Sequence, residues 1–189
     1  MENNTKRLFI GITVPRTIKN TIQMIRTTVD APDDLIRWIS GNNVHLTLSY
    51  LGEVSDDRIE ALTKSLKSKI DTSSFRLSVE GTGLFPSIER LHTLWLGIDK
   101  GRTSILELQD IVDQTVMEFK QKKEEHRFEP HVTIARVSKM KSSISIDLSL
   151  FLNALYSPME FDVNSIHLFE SELMLKGTKY TSLVEFPLK

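Results

Sequence analysis

Two short His-x-Thr motifs are the residues of this chain whose types and spacing could do chemistry. They are His45 with Thr47 and His131 with Thr133. Successive side chains of a strand point to opposite faces, so each histidine shares a face with its threonine. Near neutral pH one imidazole can be neutral while another is protonated. Two imidazoles facing one cleft therefore predict paired general acid and base catalysis, as an in-line displacement at phosphorus requires.

The hydroxyls of the two motifs extend this prediction to the phosphate itself. Thr47 and Thr133 can donate hydrogen bonds to the non-bridging oxygens, whose charge must be stabilised in the transition state. The sequence has no cysteine and no spacing that brings three His, Asp or Glu ligands together, so no metal is expected. A glycine-rich phosphate loop is also missing, which argues against use of ATP or a dinucleotide. We therefore expect no cofactor.

An internal repeat makes the two motifs more significant than either would be alone. Shifting the chain against itself by about 86 residues aligns three pairs of segments in phase: RLFIGI with TLWLGI, HLTLSYL with HVTIARV, and FRLSV with FDVNS. A single histidine in such a strand is more often a structural imidazole at a strand edge. A pair at equivalent repeat positions favours function. We interpret residues 1–189 as one catalytic domain with repeat halves at about 7–90 and 91–186.

The elements that must position the motifs follow from the hydrophobic spacing. Apolar residues recur at helical intervals after Pro15, after Ser55 and after Thr103, and a shorter helix is indicated around 148–155. Period-2 segments such as Phe75 to Val79 predict short strands between them. The pattern predicts an α+β fold of two related lobes, each with an antiparallel sheet and outer helices. A pseudo-two-fold relation would place both motifs in a central cleft.

Composition limits the classes of function. With 40% apolar and 26% charged residues and a net charge of −1, the chain is typical of a globular protein. Such a balance disfavours a protein that coats nucleic acid by bulk charge, although an RNA end could bind in a local pocket. The sequence contains no apolar run long enough to span a bilayer and no leader-like N-terminus, so no membrane association and a cytoplasmic location are expected.

The motifs and their surroundings resemble the two-histidine phosphoesterase superfamily, and specifically the bacterial and archaeal RNA 2′,3′-cyclic phosphodiesterases, historically called 2′-5′ RNA ligases. The resemblance runs from about Arg7 to Phe186 and rests on these segments: RLFIGITVP, RWISGNNVHLTLSYLGEV, GTGLFP, LWLGI, FEPHVTIARV, IHLFESEL and GTKYTSLVEF. It implies a bilobal α+β fold and hydrolysis of RNA 2′,3′-cyclic phosphate ends to 2′-phosphates. It also implies that His45 is the proton donor and His131 the proton acceptor.

Several positions depart from the family or stay open. Ser49 stands where many relatives have lysine, so a phosphate or base contact could be missing there. Arg136 matches an arginine of the family, yet strict strand alternation points it away from His131. Either the strand is irregular or Arg136 is structural. Trp38 and Phe85 could stack on a base or belong to the core.

The remaining candidates are weaker. We interpret His126 as a surface residue, although it could reach the cleft, and His167 as structural. His92 stands where relatives usually have another residue, and the sequence assigns it no role. The charged segment from Glu118 to Arg127 is interpreted as a solvated helix end and loop, because its glutamates dilute what could otherwise be a basic RNA-binding patch.

Alternative functions share the same motifs. A two-histidine enzyme could act on 2′-5′ linked oligonucleotides or small cyclic nucleotides, and weak reverse 2′-5′ ligation is allowed by microscopic reversibility. A non-catalytic nucleotide-binding module is also open, although such a module could lose a motif histidine and this chain keeps both. The expected partner is an RNA end bearing a cyclic phosphate, and a monomer is expected.

Overall fold

A computed structural model describes residues 4–32, 34–122, 127–138, 146–175 and 177–189. The helices are α1 (Arg16–Arg26), α2 (Asp56–Lys69), α3 (Arg102–Val116) and α4 (Ser149–Leu152). The strands are β1 (Thr5–Thr13), β2 (Ile36–Trp38), β3 (His45–Ser55), β4 (Phe75–Phe85), β5 (Thr93–Ile98), β6 (His131–Val137), β7 (Met159–Val163), β8 (Ser165–Met174) and β9 (Gly177–Pro187).

Antiparallel pairing joins the strands in the order β7-β4-β5-β6-β3-β1-β8-β9, with β2 added beside β6. At the middle of this order, β3 and β6 pair through Leu46 and Val132. The sheet thus consists of two groups of four strands that meet at this junction. The predicted α+β fold with antiparallel sheets is confirmed.

Each group of four strands takes members from both halves of the sequence repeat. In the first group β1 of the first half pairs with β8 of the second, and in the other group β5 of the second half pairs with β4 of the first. The repeat nevertheless relates the groups, because β1 and β5 occupy equivalent places, as do β3 and β6. Both motif strands therefore lie side by side at the centre.

The three long helices form where the apolar spacing predicts them. Each buries one stripe: Ile18, Ile22 and Ile25 in α1, Leu62 and Leu66 in α2, and Ile105, Leu108, Val112 and Val116 in α3. Ser55 is the N-cap residue of α2, as predicted, and Asp56 and Asp57 lie at its positive end. Helix α3 begins at Arg102, one residue before Thr103. The fourth helix is a single turn, and Leu155 lies beyond it, fully exposed.

Matching β-bulges interrupt the two motif strands. Opposite β1, the pairing passes from Ser49 to Thr47 and leaves Leu48 as the extra residue. Opposite β5, it passes from Ala135 to Thr133 and leaves Ile134 extra. Leu48 and Ile134 are 86 positions apart, so the repeat preserves the irregularity. A bulge adds one residue and reverses the alternation beyond it.

Candidate active site

His45 is held by a hydrogen bond from its ring to the chain just before its strand. Its Nδ1 lies 2.6 Å from the carbonyl oxygen of Asn43, and its Nε2 lies 3.0 Å from Oγ1 of Thr47. A carbonyl oxygen can only accept, so Nδ1 carries the proton. In the neutral ring Nε2 is then the basic nitrogen. It lies on the side that bears the threonine hydroxyl.

His131 repeats this arrangement in the second motif. Its Nδ1 donates to the carbonyl oxygen of Glu129 at 2.7 Å. The carboxylate of Glu129 is itself held by two hydrogen bonds of 2.7 Å from the Arg102 guanidinium. The residue that fixes the His131 tautomer is therefore anchored to the start of α3. The corresponding residue of the first motif, Asn43, is anchored by its side-chain amide to the carbonyl of Thr178.

Each imidazole also rests against aromatic rings. His45 lies 4.7 Å from the ring centre of Phe9, and Phe9 stacks on Phe169. His131 lies 5.0 Å from Phe85 and 6.0 Å from Trp95. Phe9 and Trp95 are the repeat-equivalent residues of β1 and β5. The aromatic contacts restrict the rotation of both imidazoles.

Gly83 makes room for the Trp95 ring, which packs near His131. A Cβ atom at Gly83 would lie 2.2 Å from the Trp95 ring, so no larger residue fits there while the indole keeps its place. The segment GTGLFP therefore contributes two features to the second motif. Gly83 lets the chain pass close to the Trp95 ring, and Phe85 contacts the His131 ring.

The two motifs meet around the pair of buried residues that joins β3 to β6. In the antiparallel register set by Leu46 and Val132, His45 of β3 lies opposite Thr133 of β6, and Thr47 lies opposite His131. These four side chains are partly buried, whereas Leu46 and Val132 are fully buried on the opposite face. The sequence-predicted histidines and threonines are thus brought to one face of two adjacent strands.

Arg136 also faces the cleft, which answers the question that strict alternation left open. Because Ile134 forms a bulge, both Ile134 and Ala135 are buried and Arg136 turns to the face of Thr133. Its guanidinium donates a 2.7 Å hydrogen bond to Oγ1 of Thr93. The strand is irregular, and the side chain reaches the motif face for that reason.

A cavity of about 110 Å³ opens on this face. It is lined by Phe9, Ile39, His45, Thr47, Tyr50, Thr133, Arg136, Ser171 and Tyr180. It therefore brings together one motif histidine, both motif threonines and a guanidinium. Hydroxyl and guanidinium donors grouped in this way are suited to a phosphate group.

The electrostatics of the cleft favour neutral imidazoles in the unliganded protein. Burial lowers the pKa of His45, and the charges of Arg136 and His131 lower it further, although the bond to Asn43 acts in the other direction. Burial likewise lowers the pKa of His131, and Arg136 adds to the effect. An anion bound between these groups would raise both pKa values again.

Ser49, which stands where many relatives have lysine, faces away from the cleft. It is buried, and its hydroxyl donates to the Asp113 carboxylate of α3 at 3.0 Å. The Lys120 ammonium pairs with the same carboxylate. The absence of lysine at position 49 therefore removes nothing from the cleft.

Three other candidates, Trp38, His92 and His167, do not line the cavity that holds the motif threonines. Trp38 packs against the core beneath the Arg26 guanidinium, which lies 5.6 Å from the ring centre. The side chain of His92 is exposed. The His167 ring is hydrogen-bonded to Ser165 and Ser182 on the outer strands. His126 lies outside the described residues.

Sequence reasoning missed two contributors to the cleft. Tyr180 of β9 meets the His45 ring edge-on at 5.0 Å. Arg37 of β2 lies opposite Arg136. Both come from strands whose pairing is distant along the chain. The segments RWISGNN and GTKYTSL enter the sequence argument only as parts of a resemblance.

Comparison with known proteins assigns the chain to a family. A model of the 2′-5′ RNA ligase superfamily matches residues 14–173. The chain belongs to the 2′-5′ RNA ligase superfamily.

Relatives within this superfamily match over nearly the whole chain. An Aquifex aeolicus protein named RNA 2′,3′-cyclic phosphodiesterase is 30% identical over 187 residues, covering 96% of this chain and 97% of that protein. Proteins with the same name from Escherichia coli and Thermotoga maritima are each 28% identical over 183 residues, covering 97% and 95% of this chain and 97% and 94% of their own lengths.

Solved structures share the fold of this chain. Escherichia coli LigT complexed with 3′-AMP matches with a TM-score of 0.78 at 24% identity, over 98% of this chain and 99% of that chain. TT0787 of Thermus thermophilus matches with a TM-score of 0.77 at 22% identity, over 96% and 97%.

In the part of the chain that the structure describes, no group of three or more His, Asp or Glu side chains is arranged to hold a metal ion. Over the same residues, no helix has the length and apolar character needed to cross a membrane.

Proposed function

We propose that this chain hydrolyses 2′,3′-cyclic phosphate ends of RNA to 2′-phosphates, without a metal ion or ATP. The observation that carries the proposal is the geometry around Leu46 and Val132, which brings two histidines with fixed Nδ1–H tautomers to one face with two threonine hydroxyls. The names of the relatives support the same substrate, because each is called an RNA 2′,3′-cyclic phosphodiesterase.

The proposed reaction uses the two Nε2 atoms in opposite protonation states. Neutral His131 takes a proton from a water molecule as the water oxygen bonds to phosphorus. Protonated His45 gives its Nε2 proton to O3′ as the bond between phosphorus and O3′ breaks. The products are a 2′-phosphomonoester and a free 3′-hydroxyl, and one proton exchange with solvent restores the enzyme. The direction of transfer follows the family resemblance, since the two motifs are alike in geometry.

The other cleft residues stabilise the charge of the phosphorane-like transition state. Thr47 and Thr133 donate to the non-bridging oxygens, and the Arg136 guanidinium lies beside them in the same cavity. Arg136 also lowers the pKa of both histidines before substrate binds. Binding of the anionic phosphate offsets this effect and allows one imidazole to hold a proton.

The cleft suits an RNA end more than an extended duplex. The chain has a net charge of −1, so affinity must come from local contacts rather than from bulk charge. We propose that the enzyme acts as a monomer in the cytoplasm on RNA ends. The same two histidines in the same roles would catalyse weak 2′-5′ joining of a cyclic phosphate end to a 5′-hydroxyl end: His131 takes the proton of the 5′-hydroxyl as its oxygen bonds to phosphorus, and His45 protonates O3′ as it leaves.

The test is incubation with a short oligonucleotide that ends in a 2′,3′-cyclic phosphate, in EDTA and without nucleotide triphosphate. Phosphorus NMR distinguishes the products, and the expected product is the 2′-phosphate alone. A preparation of the double variant His45→Ala/His131→Ala controls for contaminating ribonuclease. No hydrolysis, a 3′-phosphate product, or activity that requires an added divalent metal would each overturn the proposal.

A further inference from the structure

Two arginines face each other across the β2–β6 pairing. Arg37 of β2 is directly opposite Arg136 of β6, in a register fixed on either side by Ile36 with Val137 and Trp38 with Ala135. Residues directly opposite in an antiparallel pair project from the same face, and like charges there destabilise the pair. An arrangement that costs free energy in the unliganded protein favours binding of an anion between the two guanidinium groups.

Among the described residues, no counter-charge pairs with either arginine. Over the described residues, neither Arg37 nor Arg136 has a carboxylate within ion-pair distance. Arg136 is exposed to solvent along part of its length, but desolvation within the cleft lowers its pKa, and the Arg37 charge lowers it further. The two cations are therefore close enough to repel each other.

Both arginines line a second cavity of about 150 Å³, next to the one that holds the motif threonines. The two cavities share Ile39, Arg136 and Tyr180. Polar groups of Asn43 and Thr178 also line the second cavity, and none of its described lining residues is an Asp or Glu. Arg136 thus lies between the proposed reaction site and this neighbouring cavity.

We propose that this second cavity is a subsite for the phosphodiester that precedes the cyclic end of the RNA, held between Arg37 and Arg136. This inference rests on the proposed function, because it takes the reactive phosphate to lie beside the motif threonines. It assigns to the enzyme a preference for polynucleotide ends over cyclic mononucleotides. Arg37 would determine that preference from outside the reaction site.

A pair of matched substrates isolates the charge of this one phosphodiester. Both are dinucleotides with a 2′,3′-cyclic phosphate end, one with a natural linkage and one with an uncharged methylphosphonate linkage. For the wild-type protein we expect kcat/KM to be about tenfold higher on the charged substrate, as for one charge-assisted phosphate contact. The logarithm of kcat/KM on the charged substrate should also fall more steeply with the logarithm of salt concentration, by about 0.7.

Three variants show whether Arg37 is the cause of this preference. With Arg37→Gln the ratio of the two kcat/KM values should fall well below the wild-type value towards one, because only Arg136 then faces the phosphodiester, and the extra salt dependence should weaken with it. Arg37→Lys should keep most of the ratio because it keeps the charge. The control Arg16→Gln removes an exposed arginine at the start of α1 and should keep the wild-type ratio.

Folding is checked by thermal unfolding of Arg37→Gln, which should be no less stable than the wild type since it relieves repulsion. A wild-type ratio of about one, or an Arg37→Gln ratio as high as that of the wild type, would overturn the subsite. Failure of the wild type to convert either dinucleotide to a 2′-phosphate would instead contradict the proposed function.

Discussion

Leu46 lies directly opposite Val132 at the junction of the two four-strand groups, and both residues are fully buried. This pair fixes the register of the two motif strands. Since alternate residues point to opposite faces, burying Leu46 and Val132 on one side turns the motif histidines and threonines to the other. The core contact between two apolar residues thus determines the geometry of the proposed reaction site.

Removal of either motif histidine is expected to lower turnover on a cyclic phosphate end strongly. His45→Ala and His131→Ala should each reduce kcat by about 10² to 10⁴, the usual range for a general acid or base. The double variant should lose less than the product of the two single losses, because both groups act on one transition state. The control His92→Ala removes an exposed histidine and should retain wild-type turnover. Near wild-type turnover in either motif variant would refute the assignment.

The threonine hydroxyls are expected to act on the transition state. Thr133→Val keeps the shape of the side chain but removes its donor, and should lower kcat by about tenfold to a hundredfold. Thr133→Ser should recover most of the loss. A matched substitution on α2, Thr63→Val, should have no effect on kcat. If Thr133→Val raised KM without changing kcat, the hydroxyl would contribute only to ground-state binding.

The partly buried ion pair between Lys120 and Asp113, behind the first motif strand, is expected to stabilise the fold. The Lys120 side chain is only 4% exposed and pairs with Asp113, which also accepts the Ser49 hydrogen bond. Asp113→Asn leaves that ammonium without a counter-charge and should lower the free energy of unfolding by about 2 to 3 kcal/mol. Urea unfolding measures this change. The control Asp110→Asn alters an exposed residue of the same helix and should change stability by less than about 0.5 kcal/mol.

The same pair can be tested by removing both charges. Asp113→Asn combined with Lys120→Met should recover much of the lost stability, because no unpaired charge is then buried. A double variant less stable than Asp113→Asn alone would show that Lys120 stabilises the protein in another way.

The sequence could predict the fold class, the three long helices and the strands that carry the motifs. These depend on local apolar spacing and on a repeat that is visible in the residues themselves. It could not predict that β4 joins the group of β5 or that β8 joins that of β1, since such pairings are decided by packing between distant segments. For the same reason Arg37 and Tyr180 could not be recognised as cleft residues.

The β-bulge at Ile134 explains why strict alternation along the sequence predicts the wrong face for Arg136. Strict alternation directs Arg136 away from His131, and the extra residue Ile134 turns it back. The consecutive apolar residues Ile134 and Ala135 are a local signal of broken alternation. Lys120 is a second case, because its highly charged segment predicts a solvated side chain and the structure buries it beside Asp113.

The lowered pKa values of the two histidines predict that kcat/KM is highest at acidic pH. Burial and the Arg136 charge lower the pKa values of both His45 and His131 below the ordinary value of about 6.5. The bell-shaped profile of kcat/KM reports the free enzyme, so its maximum should lie below about pH 6.5. Bound phosphate raises both pKa values, and the maximum of kcat should therefore lie at higher pH than that of kcat/KM. A kcat/KM maximum above about pH 7 would contradict the electrostatics described for the cleft.

The most direct test of the paired-histidine mechanism is the pH profile of residual kcat/KM in the two single variants. The wild-type limbs belong to the interacting pair, and each variant isolates one member. His45→Ala should lose the alkaline limb, because the group that must be protonated is gone. His131→Ala should lose the acid limb, because the group that must be neutral is gone. The reverse pattern would exchange the donor and acceptor roles, and persistence of both limbs in both variants would contradict catalysis by this pair of histidines.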